Sequence, residues 1–254
     1  MGCLDSFSVK NVIGADYVQD TKIYQSFEAG VASQGLSVQH PAPGTDFAFG
    51  SGKFTVLSPQ SISSNDNDNS VAIRLENGSN HFLFTGDAES AGEEAICNLG
   101  IDLSCDVIVP GHHGSATATT WNLLQQTVPE YAVISCRAGN SYGHPHKDTM
   151  DKLSDMGIQV FRTDEQGTII AVSDGNSIEW NQNPVMITHR EMNPIPVHSP
   201  LPFMMIPEVL PTDPSTHPIT IPRLLLRQKL KMWAIWSGSP LQEANITEFQ
   251  IVAI

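Results

Sequence analysis

Residues 71–87 read VAIRLENGSNHFLFTGD, and this stretch decides the fold class. Its two apolar runs, Val71–Leu75 and His81–Thr85, are joined through Asn77-Gly78, a dipeptide that favours a tight turn between antiparallel strands. The second run ends at Gly86-Asp87, where the glycine lets the backbone turn sharply and the carboxylate projects from the end of the strand. The stretch therefore predicts a β-hairpin whose second strand carries a polar group at its carboxyl end.

Short apolar runs and helix-like segments alternate on both sides of this hairpin, which is typical of an α/β protein. The further predicted strands are Val9–Ile13, Phe47–Phe49, Phe54–Leu57, Val107–Val109, Tyr131–Ser135, Gln159–Thr163, Thr168–Ser173 and Ser177–Trp180, the last three completing the sheet. The predicted helices are Thr21–Ala32, Glu89–Cys97, Thr119–Thr127 and Asp148–Met156. Hairpins followed by βαβ units predict mixed sheets with helices outside.

The composition divides the chain near Asn183-Pro184. Ten of the 17 prolines fall between Pro184 and Pro222, which indicates an extended linker. Residues 1–183 carry 8 basic and 22 acidic side chains, so they hold the whole net charge of −14. We therefore predict a domain over 1–183, a linker over 184–222 and a tail over 223–254. Two interpretations of the tail stay open. It could be a helix that docks on a membrane surface or a partner, or a short, poorly folded segment.

The excess of acidic side chains excludes a broad basic groove for nucleic acid, because such a surface repels phosphate. Bound divalent cations would supply local positive charge, so a metalloenzyme stays compatible with the composition. The four cysteines lack CxxC spacing, which excludes a zinc ribbon or a thioredoxin-like motif. No run approaches the roughly 18 apolar residues of a membrane helix, and the N-terminus lacks a secretory-signal pattern, so the sequence leaves the compartment open.

Three polar motifs follow predicted strands, and α/β folds place their sites at strand ends. They are Gly86-Asp87, Gly111-His112-His113-Gly114-Ser115 and Gly143-His144-Pro145-His146. Carboxylate and imidazole are ligands expected for zinc, or for manganese and iron with more oxygen ligands. Asp87 is thus a candidate ligand, although an N-cap of the helix from Glu89 to Cys97 is the alternative.

The other two motifs also allow two interpretations each. Of the adjacent His112 and His113, one ring would bind metal while the other faces substrate, unless both are exposed in a loop. Ser115 would hydrogen-bond a substrate oxygen or cap the following helix. Pro145 restricts the backbone of His144 to an extended conformation, which suits a ligand, whereas an isolated surface histidine is the alternative.

Five segments in this order and spacing resemble the ComEC-type branch of the metallo-β-lactamase superfamily, over about residues 1–180. They are Asn67–Val71, Phe82–Asp87, Asp106–Ser115, Asn140–Pro145 and Thr163–Gly167. The resemblance implies an α/β (α+β) fold of metallo-β-lactamase type, an αββα sandwich whose sheet-edge loops hold one or two divalent metals, zinc or manganese.

The resemblance also implies roles for single residues and an activity. The implied metal ligands are Asp87, His112 and His144, with Asp87 bridging two metals. The implied catalytic residues are Asp87, His113 and Ser115. The residues implied to contact substrate are Asn69, Ser70, His113 and Ser115. The implied reaction is hydrolysis of a phosphodiester such as DNA by metal-activated water. In the competence proteins this domain is thought to degrade the DNA strand that is not imported.

One departure from the superfamily pattern concerns the first metal site. The HxHxDH motif, which supplies most ligands of that metal, does not occur among the 254 residues. In relatives it directly precedes a segment resembling residues 1–5, so we expect the sequence to begin just after it and the sandwich to be incomplete at its N-terminus. Two functions follow: a metal-dependent hydrolase in its complete form, or a non-catalytic fragment that lacks the first metal site.

Overall fold

Strands and helices alternate along the chain in the computed structural model, which describes residue 4, residues 6–187 and the backbone of residues 235–236 and 249–253. The strands are β1 (Asn11–Ile13), β2 (Val38–Gln39), β3 (Asp46–Phe49), β4 (Gly52–Val56), β5 (Ile73–Asn77), β6 (Asn80–Phe84), β7 (Val107–Val109), β8 (Tyr131–Ile134), β9 (Gln159–Arg162), β10 (Ile169–Ser173), β11 (Ile178–Trp180), β12 (Ile235–Trp236) and β13 (Phe249–Ala253). The helices are α1 (Lys22–Ser33), α2 (Ser90–Cys97), α3 (Trp121–Thr127), α4 (Lys147–Asp155) and α5 (Thr163–Gln166), and 3-10 turns cover Asp66–Asn69 and Gly111–Gly114.

A seven-stranded mixed sheet, in the order β3-β4-β5-β6-β7-β8-β9, forms the centre of the fold. Its strands are antiparallel from β3 to β6 and parallel from β6 to β9. The predicted α/β class with mixed sheets and helices is confirmed. Each predicted strand and helix has a counterpart at nearly the predicted bounds, whereas β2, β12, β13 and α5 were not predicted.

The prediction that the strands after β9 complete the same sheet was wrong. β10 pairs with β11 and β13 in a separate three-stranded sheet. The chain leaves the central sheet through α5 and Gly167, whose φ of +74° turns the backbone away before β10 begins. A residue with a Cβ adopts that conformation only with strain, so the glycine separates the two sheets.

Alternating side chains of β6 pack on opposite faces of the central sheet, as the period of two in a strand requires. Leu83 packs with the helices, together with Ile96 of α2 and Leu153 of α4. Phe82 and Phe84 pack on the other face, against the second sheet with its buried Ile169. Each fully buried side chain of this kind contributes about 1.5–3 kcal/mol to folding. The central sheet therefore lies between a helical layer and a smaller sheet.

The hairpin turn differs by one residue from the predicted Asn77-Gly78. Asn77 pairs with Asn80 as the last pair of the ladder, so the turn is Gly78-Ser79. The buried side chain of Asn77 donates hydrogen bonds to the carbonyl and the hydroxyl of Ser173, which holds Asn77 in the strand. Glycine is required at 78, where φ is +58° and a Cβ would lie 2.4 Å from the carbonyl oxygen of Gly175.

The predicted linker and tail lie largely outside the described residues. Val185 donates a backbone hydrogen bond to Val160 of β9. Farther on, β12 pairs antiparallel with β1, and β13 pairs antiparallel with β10. Within the described residues, no helix has the length and apolar character needed to cross a bilayer.

The parallel order of β6, β7 and β8 brings their carboxyl ends to one edge of the sheet. Three loops leave from that edge, at residues 85–89, 110–120 and 135–146. These loops carry the three polar motifs that the sequence singles out, so strand order alone assembles them.

Candidate metal centre

Four polar side chains from the three loops come together at this edge. The Nε2 atom of His113 lies 3.5 Å from Oδ1 of Asp87. The ring of His144 lies with its centroid 5.4 Å from that of His112 and 6.3 Å from that of His113. The structure thus brings together Asp87, His112, His113 and His144, whose motifs are separated by up to about 60 positions in the sequence.

Asp87 does not cap α2, which was the alternative interpretation of this residue. Oδ1 of Asp68 accepts hydrogen bonds from the backbone N–H groups of Glu89 and Gly92, at 2.9 and 3.1 Å. Buried Asp68 therefore satisfies the free donors at the start of the helix, where a carboxylate is also favoured by the helix dipole. Because the cap is supplied from a distant loop, the carboxylate of Asp87 is left for the site.

The turn Gly111–Gly114 holds both histidines in a conformation that residues with side chains rarely adopt. His112 and His113 have φ values of 48° and 59°. Such left-handed conformations cost about 1–3 kcal/mol each and persist where the surroundings enforce them, often at functional sites. The flanking glycines allow close contacts, because a Cβ at Gly111 would lie 2.8 Å from the carbonyl oxygen of Ala88. The turn is therefore built to aim two rings.

The hydrogen bond of His113 fixes which ring nitrogen has a free lone pair. Nδ1 lies 2.7 Å from the carbonyl oxygen of Ser135. A carbonyl oxygen accepts hydrogen bonds, so Nδ1 carries the proton and donates it. In the neutral ring, Nε2 then faces the carboxylate of Asp87 as a second acceptor. Two acceptors facing each other at 3.5 Å are stabilised by a cation between them, either a proton or a metal ion.

His112 is oriented in the same way by Glu89, which the sequence analysis did not select. Nδ1 of His112 lies 3.0 Å from Oε1 of Glu89. The same carboxylate accepts hydrogen bonds from Asn65, Asn67 and Thr117, at 3.0, 3.2 and 2.9 Å. Histidines that bind metals commonly donate their other N–H to a carboxylate, which fixes the tautomer and the ring plane.

The environment of Glu89 keeps its carboxylate ionised. Burial alone would raise the pKa of Glu89, but the hydrogen bonds from Thr117, Asn65, Asn67 and His112 outweigh it, and the pKa is lowered. An ionised acceptor keeps the proton of His112 on Nδ1, so Nε2 of this ring is also left with a lone pair.

The backbone of His144 is held on both sides by one amide side chain. Asn140 accepts from the N–H of His144 at 3.0 Å and donates to its carbonyl oxygen at 2.6 Å. Burial lowers the pKa of His144, the neighbouring rings of His146, His112 and His113 lower it further, and the charge of Asp87 opposes them. The ring is therefore favoured in the neutral form that a metal requires.

His146, the fourth histidine of this edge, connects the loops. Its Nδ1 accepts from the N–H of Ala116 at 2.9 Å, so Nε2 carries the proton and donates to the carbonyl oxygen of Tyr142 at 3.1 Å. The backbone N–H of His146 also donates to the carbonyl oxygen of Gly114. Both ring nitrogens are thus engaged, and His146 ties the loop of His112 and His113 to the loop of His144.

The remaining predicted site residues support the loops in the structure. The Ser115 hydroxyl lies 2.9 Å from that of Thr117, and α3 is capped by Thr120, so Ser115 is not the helix cap. Ser70 accepts through Oγ from the N–H of Asp87. Asn69 is buried and its amide bonds the backbone of Ser63. Ser70 therefore positions Asp87, while Asn69 shapes the preceding loop.

A second buried carboxylate fixes the far end of the loop that follows His112 and His113. Glu93 of α2 is fully buried and accepts from the N–H groups of Thr119 and Thr120, at 2.6 and 2.7 Å. Burial raises the pKa of Glu93, while the hydrogen bonds from Thr120 and Thr119 and the charge of Lys152 act in the opposite direction. Glu93 makes the loop rigid without entering the site.

The donor set fits a divalent metal in its chemistry. Ligands 2.0–2.2 Å from a tetrahedral metal are separated by about 3.4 Å, close to the 3.5 Å between Asp87 and His113. Across the described residues, no group of three or more His, Cys, Asp and Glu side chains is arranged as a finished metal site. Two of the described cysteines, Cys97 and Cys105, lie in the core, and burial raises the pKa of Cys105 to about 12. Asp87 and His113 thus form a prepared pair, with the rings of His112 and His144 next to it.

Sequence reasoning missed the residues that orient the rings, because each reaches the site from another loop. Glu89 was predicted as the first residue of a helix, Asn67 entered only as part of a segment that carries the resemblance, and Asn65 was not singled out. The Ser135 carbonyl carries no sequence signal. A useful signal was the spacing of Glu89 two residues after Asp87, where a second carboxylate follows the same strand.

No protein-family model matches this sequence. The chain is 32% identical over 159 residues to ComE operon protein 3 of Bacillus subtilis, covering 62% of this chain and 20% of that protein. It is 37% identical over 105 residues to Competence protein ComA of Neisseria gonorrhoeae, covering 41% of this chain and 15% of that protein. It is 39% identical over 102 residues to Recombination protein 2 of Haemophilus influenzae, covering 39% of this chain and 13% of that protein.

The chain thus spans between 13% and 20% of the length of these three relatives. The similarities support the predicted relationship to ComEC-type competence proteins.

Proposed function

We propose that this chain contributes a metallo-β-lactamase-type metal centre that hydrolyses phosphodiesters of DNA, in a role connected with DNA uptake. The observation that carries the proposal is the pair formed by Nε2 of His113 and the carboxylate of Asp87. The other nitrogen of His113 is engaged by the Ser135 carbonyl, which leaves the Nε2 lone pair directed toward Asp87. The similarity to competence proteins is the reason for proposing a role connected with DNA uptake.

The ligands of the metal would be Asp87 and the Nε2 atoms of His112, His113 and His144. The resemblance assigned His113 to catalysis and substrate contact, and its distance of 3.5 Å from Asp87 supports adding it to the ligands. Glu89, the Ser135 carbonyl and Asn140 act as positioning groups, because they fix the rings or backbones of the three histidines.

A divalent metal at this centre would act as a Lewis acid toward a phosphoryl oxygen and lower the pKa of bound water. The charge of the chain makes that contribution necessary. With 13 basic and 27 acidic side chains, the surface repels a phosphate backbone except where a cation is bound. The protein itself aims the imidazoles, keeps Glu89 ionised and joins two of the three loops through His146.

A non-catalytic metal-binding fragment is the second candidate, and one observation favours it. The HxHxDH motif does not occur among these 254 residues, so these residues by themselves offer ligands for one metal. Such a fragment would bind a metal through the same side chains without cleaving a phosphodiester.

Cleavage assays with and without the missing motif separate the two candidates. Purified chain would be incubated with manganese or zinc and a labelled oligonucleotide, alone and after fusion to an upstream segment carrying HxHxDH. We expect metal-dependent cleavage by the fusion that is lost in its Asp87→Ala variant. Metal binding without cleavage by either protein would favour the non-catalytic fragment, and absence of metal binding by both would contradict the proposal.

A further inference from the structure

Tyr142 presents an exposed aromatic ring beside the candidate metal centre. Tyr142 is 76% exposed. The ring lies 5.7 Å from that of His144, centroid to centroid, with 23° between the two planes. One face of the tyrosine is therefore directed toward a proposed ligand, while most of the ring is open to solvent.

The exposed position of Tyr142 is built into its loop. Its backbone N–H donates to Oδ1 of Asn140 at 3.2 Å, and its carbonyl oxygen accepts from Nε2 of His146 at 3.1 Å. Asn140 and His146 are the residues that hold His144 and join the loops of the site. The same contacts that place the centre thus also place the tyrosine next to it.

We infer that Tyr142 stacks on an unpaired nucleobase of the strand whose phosphate reaches the metal centre. This inference rests on the proposed function. Nucleobases stack on exposed aromatic side chains with little dependence on sequence, and removal of one such ring weakens binding by roughly 5- to 150-fold. An acidic protein gains most from this contact, because stacking needs no positive charge on the protein.

The geometry of a stacked base defines the class of substrate. In a duplex the two faces of each base are covered by its neighbours, whereas a single strand or a frayed end exposes them. Tyr142 therefore favours single-stranded DNA or duplex ends over continuous duplex, and the neighbouring metal would act on the phosphate of the stacked nucleotide.

Equilibrium binding with matched oligonucleotides tests this contact in the full chain. The probes are a fluorescein-labelled thymidine 12-mer and an abasic 12-mer of equal length and charge, each titrated with the wild-type protein, Tyr142→Ala and Tyr142→Phe in the presence of manganese. We expect Tyr142→Ala to lose roughly 5- to 150-fold in affinity for the thymidine strand and to leave the abasic strand unaffected. Tyr142→Phe keeps the ring and is expected to stay within about threefold of wild type.

Zinc titration of the same proteins distinguishes stacking from support of the centre. We expect Tyr142→Ala to bind zinc as wild type does. If it loses zinc affinity and binds both oligonucleotides less well, Tyr142 supports His144 and the stacking role is wrong. If the wild type binds both strands equally and Tyr142→Ala matches it, the inference alone is contradicted. If the wild type binds neither strand, the proposed DNA substrate is contradicted, and the stacking role is lost with it.

Discussion

Polar side chains gather at both ends of β6, buried at the amino end and partly exposed at the carboxyl end, and they differ in whether they satisfy one another. At the amino end, Asn77 donates to Ser173, and the Ser173 hydroxyl donates to Asn80 at 2.7 Å. At the carboxyl end, Nε2 of His113 and Oδ1 of Asp87 face each other as acceptors. The first cluster is closed, whereas the second leaves two acceptors between which a cation would fit.

This difference separates a polar cluster that holds a fold from one that binds a ligand. Buried polar groups are nearly always hydrogen-bonded, so a closed network stabilises the fold without further partners. At the carboxyl end, Glu89 accepts a hydrogen bond from Nδ1 of His112, and the Ser135 carbonyl accepts one from Nδ1 of His113. These contacts leave the Nε2 atom of each ring available for a ligand. Changes at the amino end should therefore alter stability, and changes at the carboxyl end should alter metal binding.

The largest effect is expected for Asp87→Ala. Removal of a proposed ligand should lower zinc affinity by roughly 100-fold or more, since loss of an outer group alone costs about 10- to 100-fold. The free energy of unfolding of the metal-free protein should change by less than about 1 kcal/mol, because the carboxylate makes no hydrogen bond that holds the loop. Isothermal titration and urea denaturation measure the two quantities. Asp174→Ala, in the turn that contacts the amino end of β6, is the control for zinc affinity and should keep it.

A smaller loss of zinc affinity is expected for Glu89→Gln. The amide retains an oxygen for hydrogen bonding but loses the negative charge that holds the His112 proton on Nδ1, so zinc affinity should fall by about 10- to 100-fold. Zinc titration gives the result, and Glu94→Gln, an exposed carboxylate on the same helix, is the control. Equal affinities for the two variants would show that Glu89 does not position His112.

The converse change, Asn77→Ala, should destabilise the protein by about 1–3 kcal/mol and leave zinc affinity unaltered. It removes two hydrogen bonds from the buried Asn77 amide to the carbonyl and hydroxyl of Ser173. Urea denaturation measures the stability, and Asn176→Ala, whose residue is exposed, is the control. If the variant lost zinc affinity without losing stability, the amino end of β6 would contribute to metal binding, which contradicts its assignment to fold stability.

The smallest effect is expected for Thr117→Val, which deletes one of the donors to Glu89. Since a single hydrogen bond contributes about 1 kcal/mol, zinc affinity should fall by roughly 2- to 5-fold. Titration in parallel with Glu89→Gln measures it. In the double variant the effect of Thr117→Val should largely disappear, because the carboxylate it supports is already gone; full additivity would indicate an independent role for Thr117.

The sequence predicted what depends on local patterns. The apolar alternation of β6 and the positions of Asp87, His112 and His144 after strand ends were enough to place the α/β class and three loops of the site. The sequence could not show that Asp68 caps α2 in place of Asp87, because the capping carboxylate is 21 residues from Glu89. Long-range contacts of this kind decide which of two local roles a residue takes.

The same limit explains Glu89 and His146. In the sequence, Glu89 stands at the start of a helix and His146 follows a proline. Their roles at the site come from contacts with a loop that is far away in sequence, Glu89 with His112 and His146 with Ala116. The assignment of β10 to the central sheet was wrong for a physical reason: β10 has the same apolar alternation as a strand of that sheet, and the turn at Gly167 changes its partner without changing its pattern.

Long-range proton–nitrogen NMR of the histidine rings, during a zinc titration, tests the central claim most directly. In the metal-free protein we expect the Nδ1–H tautomer for His112 and His113 and the Nε2–H tautomer for His146. On addition of zinc, the Nε2 signals of His113, His112 and His144 should shift together, while both nitrogens of His146 should stay unchanged. Zinc that shifts no histidine of this group, or shifts the same signals in the Asp87→Ala variant at unchanged affinity, would contradict a metal centre at the carboxyl end of β6.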